Sequence, residues 1–409
     1  MTKIFILIIL LFFSFNIFAI DINQTIDSTI KNNKKIKIGI EKISESKELI
    51  ESAIGAKLPT ITGSITGTYS NSESETNISK TTPETFTDKY KLTITKNLYD
   101  AGFNDLEINR SEILFQNEVL NFKIEIQDLI LKAIDGYLTV INYQKSLEAT
   151  QKNFESVSKA LEESKTKFEL GSSTIYELQN SESAFAIANA NLFAAEQNLE
   201  ISKKSFNRIV GFQPIDLDDY IKIDNSIKIN EIIKNSIQNN YNLKLLENDI
   251  KNKNILLLKE KKTKHPNLDL TGSTEYSDSG RIDSGTETTN GSISLTLSIP
   301  LYQKGIDNSN IRKYNSQILQ AELNYEDFKE DLQIQISNTY KDFKISEIKT
   351  NSNLALIKAS ETAISSLKQE YDIGTKSITD LLDEEENLLS FKVDFLNSKK
   401  DFIINYFKI

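Results

Sequence analysis

The side chains of this chain that could do chemistry are mostly carboxylates. Its 409 residues include 58 Asp and Glu, 48 Lys and Arg, one histidine and no cysteine. The histidine, His265, stands directly before Pro266 where a helical pattern gives way to a strand pattern, and it reads as structural. There is no glycine-rich phosphate loop and no Cys/His metal cluster. Paired carboxylates are common. Asp380 and Asp383 are three apart, so both project from one helix face, and Glu384, Glu385 and Glu386 follow them. Such pairs sit on long helical repeats that offer no obvious cleft, and a solvated acidic face is one reading of them. Catalysis and a cofactor are not expected, and a net charge of -10 argues against nucleic acid as a partner.

The elements that position these acids are organised around one stretch, Tyr371 to Asp383 (YDIGTKSITDLLD). It has a second copy at Phe168 to Asn180 (FELGSSTIYELQN). Each copy has a glycine, Gly171 or Gly374, after a long apolar-periodic run, and a second run follows within a few residues. Glycine readily takes the left-handed conformation that closes a helix, and Ser or Thr after it can cap the next one. Each copy therefore reads as the tight turn of a helical hairpin, and two copies imply an internally duplicated architecture.

The start of the chain, MTKIFILIILLFFSFNIFA, has Lys3 ahead of an apolar run and a small residue, Ala19, before Asp21. Residues 1–19 are expected to be a secretory signal peptide, an uncleaved anchor being the alternative. No other stretch is long and apolar enough for a spanning helix. Without cysteine, an exported chain has no disulfide and no cysteine for a lipid anchor, so its stability comes from packing or assembly.

In the first repeat, 20–210, residues 21 to 57 are helical in pattern and end at Pro59. Ile61, Gly63, Ile65, Gly67 and Tyr69 then alternate with Thr60, Thr62, Ser64, Thr66 and Thr68, which is a strand with one apolar and one hydroxylated side. A polar external loop is expected over about 70–89, followed by a second strand with Tyr90, Leu92 and Ile94 on one face. A strand-to-helix turn at Tyr99 and Gly102 starts a helix near Asn104 that runs to Phe168. Leu147, Phe154, Leu161 and Phe168 are seven apart, as are Leu178, Phe185, Leu192, Leu199 and Phe206. A sustained seven-residue repeat predicts helices that supercoil around neighbours.

A linker, 211–230, precedes the second repeat, 231–409. Asn239, Asn240 and Pro266 match Asn32, Asn33 and Pro59 at an offset of 207, while Tyr302, Gly305 and Gly374 match Tyr99, Gly102 and Gly171 at 203. The change falls in the interval that holds the polar stretch at about 277–290, where a second external loop is expected between two further strands. Leu381, Leu388, Phe395 and Phe402 continue the heptads, and Pro300, Tyr302 and Gly305 mark the second strand-to-helix turn.

Four strands of roughly ten residues with one apolar face suit a membrane-spanning sheet. Four cannot close a barrel, and an open edge in lipid leaves backbone groups unpaired, so the barrel has to be shared between chains. The Ile, Leu and Gly positions would face lipid, with Tyr69, Tyr90 and Tyr276 near the interfaces, and the Thr and Ser positions would line the lumen. An ordinary two-layer sheet packed on helices is the alternative. The fold class expected is therefore an α+β membrane channel with long coiled-coil hairpins.

The duplicated plan, the segment LSIPLYQKG from Leu297 to Gly305, and YDIGTKSITDLLD resemble the TolC-like outer-membrane efflux and secretion channels. The resemblance covers nearly the whole chain after residue 19. It implies a homotrimer in the outer membrane, with four strands per chain forming one twelve-stranded barrel in outer-membrane lipid and the helices forming a periplasmic tunnel closed at its far end. Strand count alone would also permit a dimer. The family's proline before the first strand-to-helix turn is replaced here by Asn97. The resemblance assigns Asp380 and Asp383 to an acidic ring at the pore gate, and Tyr371 and Lys376 to gate-closing bonds with Glu177. It implies as partners a periplasmic adaptor (membrane fusion protein) and an inner-membrane pump of the ABC, RND or MFS type. Drug efflux and protein secretion both fit. A non-channel coiled-coil structural protein of the periplasm or surface would account for the heptads but not for the four strands, and an adaptor would have one hairpin rather than two.

Overall fold

The computed structural model describes residues 20–71, 74–76, 79–81, 84–215, 217–221, 223, 228–281 and 284–409. The expected signal peptide lies outside the described residues. In chain order the elements are α1 (Ile22–Asn32), α2 (Lys34–Gly55), β1 (Thr60–Asn71), β2 (Ser74–Thr76), β3 (Ser79–Thr81), β4 (Glu84–Tyr99), α3 (Phe103–Glu169) and α4 (Ile175–Val210). They continue with α5 (Ile229–Asn239), α6 (Tyr241–Lys262), β5 (Asn267–Arg281), β6 (Ser284–Ser298), α7 (Ile306–Asp372) and α8 (Ile378–Lys408). The chain divides into two compact units, each built from both halves of the sequence rather than one unit per half.

One unit takes residues 38–124 and 240–330 and contains the sheet. Its strands run in the order β1-β4-β5-β6, every neighbouring pair antiparallel. Two expected loops need correction. β1 and β4 pair as far as Asn71 opposite Glu84, and β5 and β6 as far as Arg281 opposite Ser284, so most of 70–89 and nearly all of 277–290 is strand. Apart from Phe86, the described residues of these hairpin ends are polar on both faces, and the polarity that reads as a loop reports solvent rather than lost pairing.

The other unit takes residues 20–37 of the described N-terminal part, 125–239 and 331–409. The expected single helix over 21–57 is two helices, because Asn33 leaves helical geometry (φ -69°, ψ 131°) and its side chain accepts from the Lys35 amide at 3.0 Å. Its repeat mate Asn240 (φ -63°, ψ 123°) caps α6 in the same way, accepting from the Leu243 amide. The duplicated asparagine pair is thus a duplicated break. The main core joins Ile134, Tyr137, Leu138 and Ile141 of α3 to Leu199, Phe206 and Val210 of α4 and to Leu396, Ile403 and Ile404 of α8. Leu161, Leu199, Phe206 and Leu388, all heptad positions, are buried, whereas Phe168 next to its turn is exposed. A second seven-residue series of small or β-branched residues is buried as well: Thr150, Val157 and Ser164 on α3, and Ser181, Ala188, Ala195 and Ser202 on α4. Small side chains let helix backbones approach, so the large heptad series supplies the apolar area and the small one sets the spacing.

Candidate functional site

Two places in the molecule are built for more than packing: the two faces of the sheet, and the two hairpin turns.

On the sheet, the register puts Ile61, Ile94, Gly272 and Ile293 in one row, and Ile65, Tyr90, Tyr276 and Thr289 in another. Tyr90 and Tyr276 touch, with ring centroids 6.1 Å apart. These large apolar groups are exposed, Ile65 at 77% and Ile293 at 85%. The opposite face reads Thr62, Thr93, Ser273 and Ser292 across one row, with the last two hydroxyl oxygens 3.0 Å apart. In the next but one row Lys91 lies opposite Glu275 and Ser64. Among the described residues no helix covers the apolar side of β1, all twelve residues of which are exposed, and this sets aside the ordinary two-layer sheet.

Where strand becomes helix, each turn holds two successive left-handed residues. They are Ala101 (φ 57°) with Gly102 (φ 82°), and Lys304 (φ 54°) with Gly305 (φ 73°). The sequence points to the glycines and not to the residue before each. In the first turn the Asp100 carboxylate accepts from the amides of Gly102 and Asn104, both at 2.8 Å. Tyr99 and Tyr302 are exposed and Pro300 is half-buried. Asn97, where a proline was expected, adjoins an irregularity in the β4–β5 register and donates to Asn267 Oδ1 and, at 2.9 Å, to Asp269 Oδ1. The side chain ties the two strands together, so the turn is braced without the ring.

At the hairpin turns, Gly171 (φ 71°) and Gly374 (φ 79°) take the left-handed conformation. The Ser172 amide donates back to Lys167 O at 2.8 Å and the Thr375 amide to Glu370 O at 2.9 Å, closing α3 and α7 in the same way. The next helix starts at once on a reciprocal cap. The Thr174 hydroxyl accepts from the Glu177 amide (3.2 Å), and the Glu177 carboxylate accepts from the Thr174 amide (3.1 Å) and the Ser173 hydroxyl (2.6 Å). In the second turn the Ser377 hydroxyl accepts from the Asp380 amide (3.2 Å), while Asp380 Oδ2 accepts from the Ser377 amide (3.0 Å) and hydroxyl (2.9 Å). The pattern Ser/Thr-x-x-Glu/Asp is the sequence signal for these boxes.

These caps change the reading of the acids. The Ser173 hydroxyl and the Thr174 amide hold the Glu177 carboxyl below the usual carboxylate range. The Ser377 amide, with its hydroxyl and then Lys376, does the same for Asp380. Within the chain the expected bonds from Tyr371 and Lys376 to Glu177 are not formed among the described residues. Glu177 spends Oε2 on its cap, Lys376 Nζ lies 3.9 Å from Asp380 Oδ1, and the Tyr371 ring lies under Lys167 Nζ at 3.7 Å. Asp383 is exposed on α8. Glu384 and Glu385 are not the free solvated acids they resemble. Glu384 accepts from the Ser360 hydroxyl, and Glu385 accepts from the Ser156 hydroxyl at 2.7 Å while its carbonyl takes the Asn153 amide group. Tyr371, Ile378 and Leu382 are buried with Val157, Ala160 and Ala188, so α3, α4, α7 and α8 share one small apolar cluster beside the turns.

The family described as Outer membrane efflux protein matches residues 25–211 and 232–405. The chain is 23% identical over 338 residues to outer membrane protein TolC of Escherichia coli K12, covering 78% of this chain and 67% of that one. It is 20% identical over 388 residues to outer membrane efflux protein BepC of Brucella suis, covering 91% and 81%. Its fold is similar to that of the Campylobacter jejuni CmeC outer membrane channel, with a TM-score of 0.77 over 95% of this chain and 84% of that one at 17% identity.

Proposed function

The chain belongs to the outer membrane efflux protein family, and on that premise we propose that it is a trimeric exit duct, taking substrates from an inner-membrane pump across the periplasm and the outer membrane. It is an outer-membrane transport protein with a periplasmic helical part, not an enzyme.

The observation that carries the trimeric reading is the two-faced sheet with two free edges. β1 and β6 each have one partner strand among the described residues. In lipid, every unpaired amide or carbonyl along such an edge costs several kcal/mol, and only closure removes the edge. Four strands are too few to enclose a pore and the eight of two copies leave an interior that side chains fill, whereas three copies give a barrel of twelve with room for a channel. The row containing Ile65, Tyr90 and Tyr276 suits the lipid face with aromatic groups at its boundary, and the hydroxylated rows suit a wet lumen.

The gate lies at the hairpin turns. Three copies of Asp383, with Asp380 three residues before it on the same helix face, would surround the axis with carboxylates and favour cations. Glu177 Oε1 has no hydrogen-bond partner among the described residues and is the acceptor for Lys376 of a neighbouring copy, while Lys167 holds the Tyr371 ring within each copy. Exposed pairs of this kind contribute only about 0 to 1 kcal/mol each, so a periplasmic adaptor and pump could part them.

Cysteine pairs across the free edges test the assembly, since the chain has no cysteine of its own. Thr62→Cys, Ser64→Cys or Thr66→Cys on β1 would be combined with Asn290→Cys, Ser292→Cys or Ser294→Cys on β6. Oxidation in outer membranes is expected to give a covalent ladder that stops at three copies. Monomers alone from every combination, with no current across planar lipid bilayers, would rule the duct out.

A further inference from the structure

The hydroxylated face of the sheet carries one patch of charge that neither the gate nor the barrel closure requires. Lys89 and Lys91 alternate with Tyr90, so both point to that face and stand roughly 7 Å apart along β4. Lys91 lies opposite Glu275 of β5, and Lys89 opposite Ser277. Both ammonium groups reach the same carboxylate, Lys89 at 3.8 Å from Oε1 and Lys91 at 4.0 Å from Oε2. Their neighbours across the sheet in these two rows are Ser64, Thr66, Asn290 and Thr288, all uncharged. Two cations share one anion, so in these two rows each chain keeps one positive charge without a partner; the next acid on this face, Asp269, lies three rows away beside Asn97. Like charges two apart on one strand face repel, and packing does not demand them, because both side chains are about half exposed.

We propose that Lys89, Lys91 and Glu275 form a cationic belt inside the barrel that selects for small anions, opposite in sign to the acidic entrance at the hairpin turns. This rests on the duct reading, in which the hydroxylated face lines the lumen and three copies close it. Three copies then place a net positive ring around the pore at one level. A ring of one sign in a narrow wet passage raises the local concentration of the opposite ion, and the effect is largest where salt is low, since screening acts over about 10 Å at 0.1 M. Ions cross the acidic entrance and the belt in series, so the narrower entrance masks the belt in the resting channel. The belt becomes measurable once the entrance is neutralised.

The experiment is a reversal-potential measurement in planar bilayers under a potassium chloride gradient at low salt. It uses the full-length processed trimer carrying Asp380→Asn and Asp383→Asn. This channel is expected to prefer chloride. Adding Lys89→Gln and Lys91→Gln should move the reversal potential toward that of potassium, and adding Glu275→Gln instead should move it further toward chloride. The two opposite shifts also guard against a folding artefact, which would not reverse sign with the charge removed. A conducting channel whose reversal potential ignores all three substitutions overturns the belt and leaves the duct standing. Trimers of normal heat-modifiable mobility that carry no current in any variant overturn the duct reading, and the belt with it.

Discussion

Lys167, in the last turn of α3, holds its ammonium group 3.7 Å from the centroid of the Tyr371 ring at the end of α7. The two residues belong to different hairpins, so this contact links the two turns of one chain. Tyr371 is buried and shares an apolar cluster with Ile378 and Leu382. A cation over an aromatic face is worth about 0.5 to 1 kcal/mol at a partly exposed site, and more when water is excluded. Lys167→Gln should therefore raise the mean single-channel conductance or open frequency, and Tyr371→Ala should raise it more. Tyr371→Phe keeps the ring and should behave as the parent. A rise with Tyr371→Phe would mean that the hydroxyl, and not the ring face, holds the gate.

The caps give the turns a defined response to acid. Hydrogen bonds from Ser173 and Thr174 depress the Glu177 carboxyl, and those from Ser377 depress Asp380. A depressed folded value means that the ionised acid stabilises the folded turn. That stabilisation is fully present above the ordinary carboxylate value of about 4. It falls away as pH drops through the lower, folded value. Protection factors for amide exchange at residues 175–178 and 378–381, which divide out the intrinsic pH dependence of exchange, should thus be unchanged from neutral pH down to about 5 and should fall below about 4, the ordinary range of these groups. A loss of protection already between pH 7 and 6 would show that the caps are not what hold these helix starts.

Much of the fold is legible in the sequence because its elements are long and its signals are written twice. The left-handed glycines, the alternation of Ile61 to Tyr69, and the heptads from Leu178 each fix an element through strong local chemistry. What the sequence conceals depends on partners. The strands beyond Tyr69 and Tyr276 are polar on both sides, and only their pairing reveals them. The small-residue heptads at Ser181, Ala188, Ala195 and Ser202 lack the apolar contrast that makes Leu199 and Phe206 visible. At the candidate gate, Asp380 and Glu177 are recognisable as acids, but their use as caps depends on hydroxyls three residues earlier. The Lys167 contact brings together residues about half a chain apart, and no local pattern could announce it.

Gly211 ends α4 with φ 95°, and an added Cβ would come within 2.9 Å of the Asn32 side chain. Asn32 cannot easily withdraw, because its amide group donates to the Ser28 hydroxyl at 2.9 Å and Ser28 in turn donates to Val210 O. Gly211→Ala therefore combines the left-handed cost of about 1 to 2 kcal/mol with a side-chain clash. Gly102→Ala at φ 82° meets open space and carries the backbone cost alone. The expected order of apparent melting temperature in detergent is parent, then Gly102→Ala, then Gly211→Ala. Equal melting of the two variants would mean that the junction of α1 and α4 gives way freely.

Glu177 is given two roles that chemistry can separate. Its carboxylate completes the cap on Thr174, and its free oxygen is the proposed acceptor for Lys376 of the next copy. Gln serves in a capping box nearly as well as Glu, because its carbonyl oxygen can accept the same amide. It carries no charge to attract an ammonium group. Glu177→Gln should leave thermal stability within about 0.5 kcal/mol of the parent, as surface changes usually do, and should raise channel conductance. Glu177→Ala removes the cap as well, at about 1 kcal/mol typical of a lost capping group, and should raise conductance at least as far. Lys376→Gln should match Glu177→Gln in conductance, and combining the two should add little, since one bond cannot be broken twice. Additive conductance effects in the double variant would show that Lys376 and Glu177 act on the gate separately.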